Sequence, residues 1–323
     1  MKSIEEAEIK EGTRVLVRVD WNVPVNGLDE VVDGSRIEFS LKTIEYVKNK
    51  GGVPVVASHF GREGDSIGPV IDFAKEKYMV LTKGVEFLEN LRVNPGEEAN
   101  SEEFAKELSA KADIYVNEAF SASHREHASI VGVPKFLPGF AGLRFLEEFE
   151  KLSEAFNPEH PFFLILGGAK FETKLPLVEK FLSIADDIFI GGALAAKASE
   201  MSDSQGLPIT DNPKIILPVG DIAALDANTE TLEIIKEKIA EAKFILWNGP
   251  LGNYEKDFVA GTVALARMLA ESDAKVMVGG GDTLATIKDL KIENKFYFVS
   301  TAGGAMLNFL AKGTLPGIEA LQN

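Results

Sequence analysis

Phe162–Lys174, FFLILGGAKFETK, is the stretch on which the reading of this chain turns. Phe162 to Leu166 form a short apolar run that reads as a buried strand. The run stops at Gly167-Gly168, and a helix-like segment carrying Lys170 and Lys174 follows. Lysines four apart sit one turn above each other on a single helix face. A strand, two glycines and a helix start offer backbone N–H groups to an anion, and two ammonium groups beside them add positive charge. The plainer alternative is a tight Gly-Gly turn with two solvated lysines. The rest of the chain decides between them by supplying, or not supplying, a partner site.

Upstream, the same strand, loop and helix unit recurs. Strands are expected at Thr13–Val19, Gly52–Ala57, Val85–Leu88 and Asp113–Val116. Helices are expected from Arg36 to Asn49 with Ser35 as cap, over Pro69–Glu76, and over Ser101–Lys111. Each strand runs into a polar loop, carrying Asp20 and Asn22, then His59 and Arg62, then Arg92, then His124 and Arg125. In a parallel α/β sheet all strand C-termini open on one edge, where ligands bind, so these four loops should converge. Downstream, strands at Phe162–Leu166, Asp187–Ile190, Lys214–Leu217, Lys243–Leu246, Lys275–Val278 and Lys295–Val299 alternate with helices. Several of their ends carry glycines instead: Gly167-Gly168, Gly191-Gly192, Gly279-Gly280-Gly281 and Gly303-Gly304. The alternation predicts an α/β protein of two doubly wound parallel-sheet, Rossmann-like domains. An amphipathic helix over Arg144–Phe156, stopped by Asn157-Pro158, reads as the connector, with domains over 1–157 and from 158 onward.

Composition narrows the class of function. The length of 323 residues suits about two domains, and no apolar run is long enough for a transmembrane helix. The acidic start MKSIEEAEIKEG shows no signal peptide, so a cytoplasmic protein is expected. The absence of cysteine excludes disulfides, thiolate metal sites and a Cys nucleophile. A net charge of −16 argues against nucleic acid or an anionic membrane as partner. The arginines are unevenly placed all the same: Arg14, Arg18, Arg36, Arg62, Arg92, Arg125 and Arg144 precede the Gly-rich half, and only Arg267 lies within it. Arginine is the side chain suited to bidentate binding of carboxylate or phosphate, so an acidic protein that gathers it in one half can focus field on a small anion.

The Gly-rich half suits a polyphosphate. Each glycine junction is an anion-accepting backbone arrangement, and Asp282, directly after the triple glycine, is placed to share Mg²⁺ with phosphate oxygens unless it serves only as a helix cap. Neither a Walker A sequence nor a dinucleotide fingerprint occurs. A small-anion pocket in one domain and a polyphosphate site in the other point to phosphoryl transfer, which needs positioning and positive charge more than covalent help.

The stretches VRVDWNVPV, DGSRI, SHFGR, ENLRVNPGEE, YVNEAFSASHREHAS, FFLILGGAKFETK, WNGPLGNYE, GGGDTLATI and STAGGAMLNFL, in this order, resemble the phosphoglycerate kinase family. The resemblance implies that Asp20, Asn22, Arg36, His59, Arg62, Arg92 and Arg125 hold 3-phosphoglycerate. It implies that Arg36, Lys170 and Lys174 stabilise the phosphoryl group in flight, with amides near Gly281, Gly303 and Gly304 binding its oxygens. Gly168, Gly192, Asn248, Pro250, Gly252, Glu255, Gly280, Gly281, Asp282, Thr283 and Lys174 match the nucleotide region, Glu255 at the ribose and Asp282 at the Mg²⁺. The implied reaction is reversible transfer between 1,3-bisphosphoglycerate and Mg-ADP, giving 3-phosphoglycerate and ATP. The implied molecule is a monomer whose domains close by hinge bending, with residues 313–323 returning to the first domain and 158–312 forming the second. The alternatives are a scaffold that keeps the fold without catalysis and a kinase of a related carboxylic acid. This chain departs from the family by losses between Arg62 and Val85 and between Ala198 and Trp247, the second near the adenine. Ala193, Asn228 and Ala302 replace usual glycines, Asn253 an apolar residue, and Glu118 an aspartate.

Overall fold

β1 (Arg14–Arg18) lies at the centre of the first sheet, because Val15, Leu16 and Val17 must be buried on both of its faces. The computed structural model describes residues 1–169, 171–198 and 208–322. β1 pairs in parallel with β2 (Val53–Ala57) and β4 (Ile114–Asn117). β3 (Glu86–Phe87) adds outside β2 and β5 (Gly139–Ala141) outside β4, giving the order β3-β2-β1-β4-β5. Parallel strands need crossovers. Here these are α1 (Ser35–Asn49), α2 (Gly68–Lys77), α3 (Met79–Thr82) and α4 (Glu102–Ser109), with α5 (Leu143–Ser153) following β5. Val15, Val17, Trp21, Ile37, Ile44, Val47 and Val56 form the centre of this core. The Trp21 indole N–H is buried and donates to Ser40 Oγ at 2.8 Å, so its one polar group is satisfied.

The second sheet is built the same way around Phe162–Leu166 (β6), whose five residues are all buried. Continuous apolar runs are the mark of a parallel strand covered by helices on both faces, and burying each such side chain stabilises the fold by about 1.5–3 kcal/mol. β7 (Asp187–Ile190) and β8 (Ile215–Ile216) lie to one side of it, and β9 (Phe244–Asn248), β10 (Lys275–Gly279) and β11 (Phe298–Val299) to the other. The order is β11-β10-β9-β6-β7-β8, with every pairing parallel. Around it lie α6 (Phe171–Phe181), α7 (Ala193–Ala198), α8 (Thr229–Glu241), α9 (Ala260–Ala270), α10 (Gly281–Asp289) and α11 (Gly304–Lys312). The architecture is the expected pair of α/β parallel-sheet domains.

The chain divides into two compact units, Met1–Glu150 with Thr314–Asn323, and Lys151–Gly313. The division therefore falls inside α5, whereas the amphipathic pattern placed it at the Asn157-Pro158 helix stop. The last expected helix ends at Gly313, which adopts φ +79°, and α12 (Pro316–Ala320) packs in the first unit, where Gly317 N donates to Ser123 O at 2.9 Å. Ser35 turns out not to cap α1. It is the first helical residue, and both its N–H and its hydroxyl donate to Asp33 Oδ1. Among the described residues, no helix is long and apolar enough to cross a membrane.

Candidate functional site

In the first unit the strand-end loops meet at one sheet edge. Asp20 follows β1, and its Oδ2 accepts from Arg36 Nη1 at 2.9 Å and from the Ser121 hydroxyl. Arg36 Nη1 also lies 3.2 Å from the Asn22 carbonyl, and Asn22 Oδ1 accepts from Gly61 N at 3.0 Å. These bonds tie the loop after β1 to α1 and to the loop after β2. His59 places Nδ1 3.9 Å from Asp20 Oδ1. Arg92, after β3, donates to the Gly61 carbonyl and has its Nε 2.9 Å from Glu98 Oε1. Asn90 fixes this corner by accepting from Phe60 N at 2.9 Å and donating to Phe60 O at 2.8 Å. Arg62 is exposed, with its backbone N–H on Asp65 Oδ2.

The electrostatics suit an anion. Burial works to raise the Asp20 pKa, but the Arg36 charge, the Ser121 hydroxyl and the Arg18 charge oppose it, and the pKa lies below the ordinary value. Burial lowers the Arg125 pKa, and the Arg92 charge nearby lowers it further. Arg36 pairs with Asp20 and Arg92 with Glu98, whereas Arg125 forms no ion pair among the described residues, so a small anion would stabilise the cluster there. His124 Nδ1, in the same loop as Arg125, is buried with no hydrogen-bond partner among the described residues. Two arginines stand apart from the edge. Arg14, at the start of β1, makes a bidentate pair with Glu86, and Arg144 pairs with Glu147 and Glu148.

In the second unit the strand ends are held backbone to backbone. A Cβ on Gly167 would stand 2.1 Å from the Pro250 carbonyl oxygen, and one on Gly192 2.9 Å from Gly168 N. Gly168, Gly192, Gly249 and Gly280 have positive φ, so the loops after β6, β7, β9 and β10 all use glycine's conformational range. Lys174 is buried at 5% exposure, and its Nζ donates to the Gly167 carbonyl and lies 3.4 Å from the Asn248 carbonyl. Gly280 and Gly303 are the N-caps of α10 and α11, with no side-chain cap at either. Among the described residues, no heavy atom beyond the chain neighbours and the helix's own backbone would meet a Cβ on Gly281, Gly303 or Gly304 within 4 Å. These helix starts therefore leave space in front of amides that have no intrahelical partner.

The remaining expected residues are placed unequally. Asp282 is exposed in the first turn of α10, whereas Thr283 is buried and its hydroxyl accepts from Gly249 N at 3.0 Å. Glu255 is exposed. Gly252 is packed, its would-be Cβ 2.1 Å from the Phe258 carbonyl oxygen. Asn248 is buried, with its amide nitrogen 3.8 Å from Met306 Sδ. Lys170 lies outside the described residues. Beside Gly191 and Gly192, a shallow recess is lined by Phe189, Pro218, Ala227 and Leu251 among others. Two of the departures cap local structure. Asn228 accepts from Thr231 N at 2.8 Å at the start of α8, and Asn253 accepts from Lys256 N at 3.2 Å.

Sequence reasoning missed Ser121, Glu97, Ser129 and the apolar lining of the recess. Ser121 had a signal, since it lies in the YVNEAFSASHREHAS stretch. Glu97 and Ser129 also lie in quoted stretches, ENLRVNPGEE and YVNEAFSASHREHAS, but their pairing across 32 residues could not be read from either.

A family model described as phosphoglycerate kinase matches residues 4–81, 65–212 and 196–313. The phosphoglycerate kinase of Rubrobacter xylanophilus is 35% identical over 388 residues, covering 99% of this chain and 98% of the relative. That of Herpetosiphon aurantiacus is 35% identical over 385 residues, covering 97% of each. The solved phosphoglycerate kinase from Coxiella burnetii matches with a TM-score of 0.85 and 31% identity over 99% of this chain and 98% of that one. The one from Pyrococcus horikoshii matches with a TM-score of 0.86 and 27% identity over 100% and 98%. Because the sequence alignments run longer than the 323-residue chain, the relatives carry stretches that it lacks. The successive family matches overlap at 65–81, within the first region where the motif spacing locates a loss, and at 196–212, across the start of the second. Motif order, paired parallel sheets and full-length similarity agree, and the chain belongs to the phosphoglycerate kinase family.

Proposed function

We propose that this chain catalyses reversible phosphoryl transfer between 1,3-bisphosphoglycerate and ADP, giving 3-phosphoglycerate and ATP, as a phosphotransferase of glycolysis acting on a carboxyl group. The observation that carries the reading is the contrast of the two sheet edges: an arginine cluster in one unit, and glycine-capped helix starts beside buried Lys174 in the other.

In this reading Asp20, Asn22, Arg36, His59, Arg62, Arg92 and Arg125 hold the phosphoglycerate. Asp20 is kept ionised to accept from the substrate hydroxyl, and the guanidinium groups take its phosphate and carboxylate. Lys174, with Lys170 and Arg36, neutralises the migrating group, and the amides at Gly281, Gly303 and Gly304 receive its oxygens. No general base is required, because the accepting carboxylate is already ionised. The nucleotide lies along Gly168, Gly192, Asn248, Pro250, Gly252, Gly280 and Thr283, with Glu255 at its ribose. Among the described residues no cluster of three or more His, Cys, Asp or Glu could hold a metal alone. The single exposed carboxylate of Asp282 suits Mg²⁺ only together with nucleotide phosphates, which is the usual manner of Mg²⁺ binding. Once bound, Mg²⁺ would offset phosphate charge there. We further propose that the enzyme is a cytoplasmic monomer whose units close by hinge bending.

The test is an assay of ATP formation from enzymatically supplied 1,3-bisphosphoglycerate, run in parallel with GDP in place of ADP and, in reverse, with several carboxylic acids. ATP formation that depends on Mg²⁺ is expected. Intact folding without turnover would instead identify a scaffold, and turnover only with another acid would identify a different kinase.

A further inference from the structure

One arginine at the first unit's edge is left out of the substrate reading and holds a residue that is in it. Arg18 ends β1 and is 1% exposed. Its Nε donates to Ser129 Oγ at 2.9 Å, its Nη1 donates to the Val19 carbonyl, and its Nη2 stands 3.2 Å from His59 Nδ1. Buried Glu97 balances its charge, with Oε1 4.0 Å from Nη2, and is itself held by the Ser129 N–H at 2.9 Å and hydroxyl at 2.6 Å. The guanidinium is thus fixed from several sides before it meets the imidazole.

A guanidinium has donors and no acceptor. The nitrogen facing it, His59 Nδ1, must therefore accept, and a neutral imidazole with a bare Nδ1 carries its proton on Nε2. Doubly protonated His59 would set N–H against N–H in a buried place. The charged groups facing His59 are Arg18 from β1, Asp20 just beyond it, Arg92 after β3 and Arg125 after β4. Three cations oppose one carboxylate. Burial first and the Arg18 charge second push His59 down to about 3. Nε2 has no hydrogen-bond partner among the described residues.

We propose that Arg18 is a positioning residue that fixes His59 as the neutral Nε2–H tautomer, so that His59 gives the anionic substrate a hydrogen-bond donor unchanged across neutral and mildly acidic pH. The proposal rests on the reading that this edge takes 3-phosphoglycerate. Its physical sense is that the guanidinium groups already supply charge. A neutral donor adds direction, whereas a histidine titrating near its ordinary value would make affinity vary with pH.

Long-range ¹H–¹⁵N NMR of the unsubstituted protein tests it without any variant. A bare Nδ1, a protonated Nε2 and no His59 titration from about pH 8 to about pH 5 are expected. An Nδ1–H tautomer, or a midpoint near the ordinary value of about 6.5, overturns the proposal. Adding 3-phosphoglycerate should shift the Nε2–H resonance. Without a shift at saturation the donor does not serve this substrate and the proposal falls, and calorimetry on the same sample shows separately whether 3-phosphoglycerate binds at all. Arg18→Met with Glu97→Gln removes the donor without stranding a buried carboxylate. This pair should raise KM for 3-phosphoglycerate about tenfold at neutral pH. The ratio of its KM to that of the unsubstituted enzyme should then fall on acidification, as His59 regains a charge. Arg18→Lys, which keeps a donor, should restore a flat ratio; a flat ratio in the double variant overturns the proposal.

Discussion

The two sheet edges present positive potential by different means. In the first unit it is carried by guanidinium side chains: Arg36 held by Asp20 and the Asn22 carbonyl, Arg92 by the Gly61 carbonyl, and Arg18 by buried Glu97. In the second it is carried mainly by backbone at glycine-capped helix starts, with Lys174 as the buried cation. Side chains can be spaced around a small, irregular anion, but each needs partners to hold it in place. Backbone amides are fixed by the fold, which suits a repeated phosphate group, but they require glycines where chains approach closely. Substitutions should therefore fail in different ways at the two edges.

The largest effect is expected for Lys174→Ala, which should lower kcat by about a thousandfold while 3-phosphoglycerate binding, followed by calorimetry, stays near its original value. An equal loss in both would place Lys174 on the phosphoglycerate side and erase the contrast. Next, Gly167→Ala should cost more than about 3 kcal/mol in denaturant unfolding, because a Cβ would stand 2.1 Å from the Pro250 carbonyl oxygen. Gly281→Ala meets open space and should leave stability within about 0.5 kcal/mol, while raising KM for the nucleotide. That pair separates glycines that let backbone pack from glycines that let ligand approach.

Acid should distinguish the units next. The pKa values of His59, His124 and His127 are all lowered, burial being the largest cause in each, and all three lie in the first unit. The unfolded chain takes up protons below about 6.5 that these buried imidazoles refuse, so the stability they contribute is complete above that value and is lost as pH falls. For His59 the window reaches down to about 3. Each refused proton costs about 1.4 kcal/mol per pH unit crossed. Each unit holds one tryptophan, Trp21 in the first and Trp247 in the second. In Trp247→Phe, fluorescence from Trp21 should report acid unfolding at a higher pH than Trp247 does in Trp21→Phe. The smallest effect belongs to Arg14→Ala. Its pair with Glu86 is partly exposed at the start of β1, so stability should drop by less than about 1 kcal/mol, with KM for 3-phosphoglycerate unchanged.

Both sheets and most of the helices were legible in the sequence, because β6 is an unbroken apolar run, β9 is apolar up to Asn248, and the loops after them are marked by glycine. β5 was not. Its three residues, Gly139–Ala141, become a strand only by pairing with β4, and no periodicity can show in so short a segment. The same limit applied to Thr283. The resemblance places Thr283 in the phosphate region, and that its hydroxyl also accepts from Gly249 N, 34 residues away in sequence, is visible only in the folded chain.

For Phe162–Lys174, the sequence by itself determined the strand, the glycine turn and the spacing of the lysines, since these follow from local periodicity and backbone freedom. It also determined the family, because nine motifs in order leave little room for another. Tertiary structure alone decided that Lys174 is buried against the carbonyls of Gly167 and Asn248, and that Arg18 stands against His59 with Glu97 behind it. Such pairings join residues from strands that meet only in the folded sheet. A charge can be read from sequence, but its partner depends on which strands lie side by side.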